Sequence, residues 1–379
     1  MVPAIPQGVP TPAYVVDLRK LRSNLETADR LRKEAGCKVL LATKAFALPA
    51  VFPMMRPYLD GTTASGVFEA RMGADAFGKE VHVYSPAYTT SEIAELSNVA
   101  GHVYFNSARQ LHLHQAQALG QGHAIGLRLN PGYSNATLGG ALYDPCAPNS
   151  RFGETQEGLS SVDWTSVHTL HVHALCESGH DGSIGLIEHV ASRFREYVRR
   201  VKAVNFGGGH FLNKPGYDLD ALIRAVRAFR TEFGVDVYFE PGAGLVVDAG
   251  YMISTVVDLH RNGSDLAIMD ASASCHMPDV LEVPYRPGIV GSGGSGEKAH
   301  TYVLGGKTCM TGDVIGTYSF DRPLEPGDRL IFEDMAQYSF VKNNTFNGAP
   351  LPDLAVLHED GRYEVVRRFT YADFIGKLA

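Results

Sequence analysis

Val39-Leu40-Leu41-Ala42-Thr43-Lys44 is an uncharged, mostly apolar run closed by a lysine. A continuous run this short reads as a strand buried on both faces, the kind found in parallel sheets. Seven further runs follow: Gly61–Ser65, Val81–Ser85, His102–Asn106, Ala124–Asn130, Thr169–Leu175, Ala203–Phe206 and Val235–Phe239. Most are about 20 residues apart, the length of one strand plus one helix. The gaps carry helical spacing. Leu18, Leu21, Leu25 and Leu31 share a face before the first run, and Ile184, Ile187, Val190, Phe194 and Val198 do so after the sixth. Eight such repeats predict a closed parallel (β/α)8 barrel of the TIM type.

In such a barrel the C-terminal strand ends form one rim, where active sites are built. Four features stand there: Lys44, His173, Gly207-Gly208-Gly209 and Glu240. Together they offer an amine, a flat ring, a glycine turn that can close around a phosphate, and a carboxylate, a set that suits pyridoxal 5'-phosphate. Each has a plain alternative. A lysine can snorkel at a strand end, His173 can be structural, and Glu240 can be a solvated acid. The chain holds 40 glycines, so a triple glycine can be an ordinary turn. The choice therefore rests on the four together. Alternation puts His171 and His173 on one face, but no third zinc ligand is evident, so no metal is expected.

From about Leu245 helical spacing fades. Tyr251–Leu259, Leu266–Asp270, His300–Leu304, Asp313–Tyr318, Arg329–Glu333 and Tyr363–Phe369 look like strands separated by turns such as Glu325-Pro326-Gly327-Asp328. The expected organisation is an N-terminal strand segment, residues 1–22, joining a C-terminal β domain, residues 246–379, with the barrel over residues 23–245. The stretch from Pro131 to His168 is an insertion that serves either as a substrate loop or as a plain connector. In the β domain, Gly305–Asp313 is a glycine-rich turn bearing Cys309, a group able to donate a proton to a carbanion but, taken alone, more often an inert small hydrophobe.

Composition bounds the function. With 45% hydrophobic and 20% charged residues the chain has the balance of a globular enzyme. A net charge of −7 argues against nucleic acid and agrees weakly with a cationic substrate, although a charge of this size more often merely aids solubility. Five cysteines without regular spacing do not form a disulfide framework. No signal peptide or membrane span is expected, which points to the cytoplasm.

These motifs resemble the alanine-racemase-fold, pyridoxal phosphate-dependent decarboxylases that act on basic amino acids. The resemblance runs nearly end to end. It rests on Lys44, Asn205-Phe206-Gly207-Gly208-Gly209, Glu240-Pro241-Gly242, Lys307-Thr308-Cys309 with Asp313, Glu333–Tyr338, and Thr345-Phe346-Asn347-Gly348. Ala45-Phe46-Ala47, His173–Glu177, and Asp270–Ala273 leading to His276–Glu282 look most like the branch that acts on carboxynorspermidine and carboxyspermidine. The resemblance implies a barrel followed by a C-terminal β domain. It implies that Lys44 carries the cofactor, His173 stacks on its ring, Gly207, Gly208 and Gly209 bind its phosphate with Tyr338, and Glu240 holds the pyridinium. Cys309 would come from the second subunit of a head-to-tail homodimer and protonate the product. Ser65, Glu69 and Arg128 occupy family positions near the cofactor, and Asp279, Asp313 and Glu177 would meet the amines of a carboxylated polyamine.

Two positions depart from the pattern. Ala243 stands where many relatives carry a phosphate-holding arginine, and Met310 stands where ornithine decarboxylases carry an acid. The second argues against ornithine. Diaminopimelate decarboxylase remains an alternative, with Arg286 as the cation for a distal carboxylate. An amino-acid racemase and a non-catalytic cofactor-binding protein are weaker ones. The racemase would need a tyrosine where Cys309 stands, and the carrier usually lacks the β domain.

Overall fold

The computed structural model of the chain describes residues 5–6, 8–135, 144–283 and 285–379. The chain forms two compact units. One is Arg22–Leu245; the other joins the stretch ending at Leu21 to Val246–Ala379.

Strand β1 (Ala13–Asp17) belongs to the second unit. The first holds β2 (Lys38–Ala42), β3 (Gly61–Ala64), β4 (Glu80–Tyr84), β5 (His102–Phe105), β6 (Ala124–Arg128), β7 (Val167–His171), β8 (Ala203–Asn205) and β9 (Asp236–Phe239). Each lies parallel to the next, and β9 returns to β2 through Lys38↔Tyr238 and Val39↔Phe239, closing the predicted barrel. Val39, Leu40 and Leu41 are fully buried, as a strand covered on both faces requires. The helices between strands are locally encoded. Over Leu219–Phe233, Asp218 caps the Ala221 N–H, Gly234 ends the helix at φ 68°, and Leu219, Leu222, Ile223, Val226 and Phe229 form the buried stripe.

The barrel interior is only partly apolar. Leu40, Ala203 and Tyr238 pack as one cluster. In the register that pairs Thr63 with His82, Tyr104 with Gly126, and His171 with Asn205, polar side chains fill much of the rest. The Pro131–His168 insertion lies outside the described residues over 136–143; its described part includes short 3-10 turns at Gly158–Ser161 and Trp164–Ser166.

The second unit is a sheet of β10 (Gly250–Asn262), β11 (Ser264–Met269), β12 (His300–Gly305), β13 (Val314–Phe320), β14 (Arg329–Glu333), β15 (Asp353–Leu357), β16 (Tyr363–Arg367) and β1. Its order is β13-β12-β11-β10-β1-β15-β16, with β14 also on β10. Thus β1 runs antiparallel to β10 and parallel to β15. The expected strands are present. The unexpected one, β15, is a short run after Pro350-Leu351-Pro352, where proline obscures strand periodicity. Three short helices, Ala273–His276, Asp279–Glu282 and Tyr371–Gly376, also escaped the periodicity; the last starts with a Thr370–Asp373 capping box.

Val15, Ile253, Ala355 and Leu357 form a core cluster where β10, β1 and β15 meet. Ile253→Ala leaves a cavity there and is expected to cost about 2–5 kcal/mol. Guanidinium unfolding should show a lower midpoint for the variant; a wild-type midpoint would remove this cluster as the centre of the unit.

Candidate active site

Lys44 stands two residues beyond β2, at the C-terminal rim of the barrel. Thr43 fixes its approach, donating through Oγ1 to Thr63 O (3.0 Å) and to Glu69 Oε2 (2.9 Å), and Glu69 also accepts the Ser65 N–H (2.7 Å). Lys44 has more accessible surface than its apolar neighbours led one to expect. Crowding by the surrounding protein nevertheless pushes its pKa down. Arg128 adds to this, against the opposing charges of Glu240 and Glu69. A neutral amine is therefore more accessible here than on an ordinary lysine.

His173 follows β7 by two residues. Its Nδ1 accepts the Gly208 N–H at 2.9 Å, so the neutral ring carries its proton on Nε2. Burial, then the charges of Lys44 and Arg128, hold its pKa well below the ordinary histidine value, and the ring remains uncharged. The glycines allow this approach. A Cβ on Gly207 would lie 2.6 Å from His173 Cβ, and one on Gly209 would lie 2.1 Å from Leu175 O; both residues have positive φ. The expectation that all three glycines offer N–H groups to a phosphate needs correction. Gly207 N–H donates to Asn205 Oδ1 (2.8 Å) and Gly208 N–H to His173, so among the three described glycines only Gly209 keeps its N–H uncommitted.

Glu240 is 5% exposed. Burial alone would raise its pKa. The neighbouring His171 and the hydrogen bond from Asn205 overcome this and hold it at about 2. Oε1 accepts from Asn205 Nδ2 at 2.7 Å and Oε2 lies 3.3 Å from His171 Nε2. Donor atoms of His171, His173 and Glu240 fall within 4.8 Å of one another, so the third polar group missing from the sequence reading is present. They do not make a metal set, because His173 spends Nδ1 on Gly208 and carries a proton on Nε2.

Arg128 is 4% exposed, donates Nη2 to His173 O (2.9 Å) and lies between the rings of Tyr84 (4.5 Å) and Phe152 (4.6 Å). Glu177 sits in a turn at φ 44° beside the half-buried Cys176. Lys44, Arg128, His173, Glu177, the glycines and Glu240 thus belong to the barrel unit. Asn205, His171, Tyr104 and His82 were missed as participants in the site. The signal was parity, since Asn205 and His171 stand two residues before Gly207 and His173.

Cys309, Asp279, Asp313 and Tyr338 belong to the sheet unit. Cys309 is exposed, and its N–H donates to Asn347 Oδ1 at 2.7 Å. Asp313 is 4% exposed. Its oxygens accept from Ser272 Oγ, Ser274 N–H, Thr308 N–H and Thr308 Oγ1. A carboxylate so saturated has no capacity for a substrate amine; it organises the turn that carries Cys309 instead. Asp279 pairs with Lys342, as does Glu282, so it too is not an open acceptor. Tyr338 is half-buried at φ 48°.

The rim residues fit pyridoxal phosphate: an amine of lowered pKa, a neutral flat ring, an ionised buried carboxylate and a glycine turn that only glycine can make. Gly209→Ala should weaken binding of a phosphate-bearing cofactor by about tenfold or more, the scale of one strained backbone position. Gly216→Ala, at similar φ but in open space, is the control. Equal affinity for the two variants in fluorescence titration would detach the glycine turn from the phosphate.

The family model described as pyridoxal-dependent decarboxylase, C-terminal sheet domain, matches residues 13–336. The carboxynorspermidine/carboxyspermidine decarboxylase of Campylobacter jejuni is 37% identical, over 97% of this chain and 98% of its own. The carboxyaminopropylagmatine decarboxylase of Synechocystis is 38% identical, over 98% of this chain and 96% of its own. The crystal structure of the Campylobacter jejuni carboxynorspermidine decarboxylase complexed with norspermidine superposes with a TM-score of 0.89 at 35% identity, covering 97% of this chain and 100% of that one. The chain belongs to the pyridoxal-dependent decarboxylases.

Proposed function

We propose that this chain removes the α-carboxylate of carboxynorspermidine or carboxyspermidine and yields norspermidine or spermidine. The observation that carries this is the similarity, at 37% identity over 97% of the chain, to a relative named for that activity. Pyridoxal phosphate, when bound, supplies an electron sink for the pair left by the departing carboxylate. Lys44 presents the amine that holds the cofactor's aldehyde, in a form its depressed pKa makes reactive. Glu240, ionised in its buried seat, keeps a proton on the ring nitrogen. His173 lays a flat, uncharged surface against the ring, and Gly209 offers its N–H to the phosphate. Cys309 returns a proton to Cα, from a second copy of the chain in a homodimer. Tyr338 adds a hydroxyl to the phosphate, and Arg128 keeps the pocket's potential positive. No described helix is long and apolar enough to cross a membrane, which is compatible with cytoplasmic work on a small polyamine.

The polyamine end carries ammonium groups. Asp279 and Glu282 already hold one ammonium, that of Lys342, and in the proposed complex a substrate amine competes for them. Glu177 is the acid for this task on the barrel unit. Each charge-assisted hydrogen bond contributes about 1.5–3 kcal/mol. Diaminopimelate is disfavoured by the state of Arg286. Its Nη1 donates to Thr317 O (3.0 Å) and its guanidinium lies 4.3 Å from the Tyr318 ring centroid, so this cation is already engaged. The Synechocystis relative supports a second reading, in which the distal group is a guanidinium.

The deciding experiment measures carbon dioxide release from carboxynorspermidine, carboxyspermidine, carboxyaminopropylagmatine and diaminopimelate, with borohydride trapping of the cofactor. Turnover of the first two and a label on Lys44 are expected. Fastest turnover of diaminopimelate, or an unlabelled Lys44, would overturn the proposal. In the same assay Asp279→Asn should raise KM severalfold at nearly constant kcat; an unchanged KM would leave Asp279 to Lys342 alone.

A further inference from the structure

A continuous line of polar side chains crosses the barrel from the Glu240 rim to the opposite end. The direction of every hydrogen bond in it follows from one fact. Asn205 Oδ1 accepts the Gly207 N–H (2.8 Å), which fixes the orientation of the amide. Asn205 Nδ2 therefore donates both hydrogens, one to Glu240 Oε1 (2.7 Å) and one to the Tyr104 oxygen (3.2 Å). With its oxygen accepting, Tyr104 must donate its own hydrogen, and the acceptor is His82 Nδ1 at 2.6 Å. His82 then carries its ring proton on Nε2, directed at Glu80 Oε2 (3.3 Å). Glu80 Oε1 accepts from Lys38 (2.5 Å), which with Glu80 begins strands β2 and β4 at the far end of the barrel.

Tyr104 touches both partners of Glu240. Its hydroxyl meets Asn205, and its ring stacks on His171 with centroids 5.0 Å apart and planes 16° apart. The barrel makes room for this ring. Gly126 on the adjacent strand faces it, and a Cβ there would lie 2.1 Å from Tyr104 Cδ1. Tyr104, His82 and Asn205 are all fully buried, so an unpaired atom anywhere in the line would be costly.

A metal does not account for the far end. Donor atoms of Glu80, His82 and His102 do cluster within 4.8 Å. The two imidazoles, however, stack at 3.9 Å with planes 17° apart. Their lone pairs lie in near-parallel planes and do not converge, and both His82 nitrogens are committed.

We infer that Tyr104, held in polarity by His82, is the positioning residue for Glu240: it orients Asn205 and His171 so that the carboxylate faces the cofactor ring in one fixed geometry. This rests on the proposed role of Glu240 at the ring nitrogen. Tyr104 acts only through Glu240, so its loss reduces turnover without touching the polyamine end of the substrate.

Tyr104→Phe keeps the ring, its stacking and its volume and deletes one hydroxyl. In the holoenzyme it should lower kcat about tenfold at unchanged KM, the usual scale for losing an outer partner of a functional group. His82→Asn can still accept from the hydroxyl through its amide oxygen and should retain most of kcat. His82→Leu fills the space but cannot accept and should behave like Tyr104→Phe. In the cofactor-free protein, nitrogen NMR should find the His82 proton on Nε2 in the wild type, with the ring resonances displaced in Tyr104→Phe. Wild-type kcat in a folded Tyr104→Phe, equal loss in the two His82 variants, or a proton on Nδ1 would overturn the inference. Glu240→Gln separates the two levels. If it retains kcat, the reading of Glu240 has failed; if it loses kcat while Tyr104→Phe does not, only the positioning role has failed.

Discussion

The rest of the barrel interior is arranged around one buried charge. Glu240 is ionised and almost without solvent, and an uncompensated carboxylate in that position would cost several kcal/mol. Its oxygens are therefore paired, to Asn205 and to His171. Asn205 is buried too and needs partners of its own. Asn205 takes the Gly207 N–H, which ties the glycine turn to the carboxylate's seat. Tyr104 and His82 carry the requirement on through β5 and β4 until Lys38 and Glu80 reach partial exposure. A stack of aliphatic side chains, the usual filling of such a barrel, could not meet this demand.

The same economy of charge governs the amine. Five effects act on Lys44: burial and Arg128 against Glu240, Glu69 and Cys176, and the first two win. Arg128 is itself buried, at a desolvation cost offset by the faces of Tyr84 and Phe152 and by the His173 carbonyl. Each cation–π contact of this kind is worth roughly 0.5–2 kcal/mol. Arg128 thus adds to burial in lowering the pKa of two neighbours, the Lys44 amine and the His173 ring, and it braces the latter through its backbone. The glycine turn completes the arrangement by letting Gly208 dock on His173 Nδ1.

How much of this was legible in the sequence depended on periodicity. The eight barrel strands were visible because strands covered on both faces read as apolar runs, and Lys44, His173, Gly207–Gly209 and Glu240 were visible because they break those runs at one end. The inner line was not. Glu80, His82, His102 and Tyr104 sit within strands at alternate positions, where a polar residue ordinarily marks a solvent face, and only closure of the barrel turns that face inward. Strand β15 was hidden by its brevity and its prolines. The partners of Asp313 and Asp279 could not be foreseen either. Ser272 lies 41 residues from Asp313 and Lys342 lies 63 from Asp279, and nothing local predicts such pairs.

The acids of the sheet unit are already committed within the chain, in two different ways. Asp313 spends its whole accepting capacity on the turn around Cys309, so its charge serves geometry. Asp279 and Glu282 share the ammonium of Lys342 near the surface, and exchanging one ammonium for another changes little in desolvation or in Coulomb energy. A buried methylene is worth only about 0.8 kcal/mol. Burial alone therefore separates polyamines that differ by one methylene only weakly.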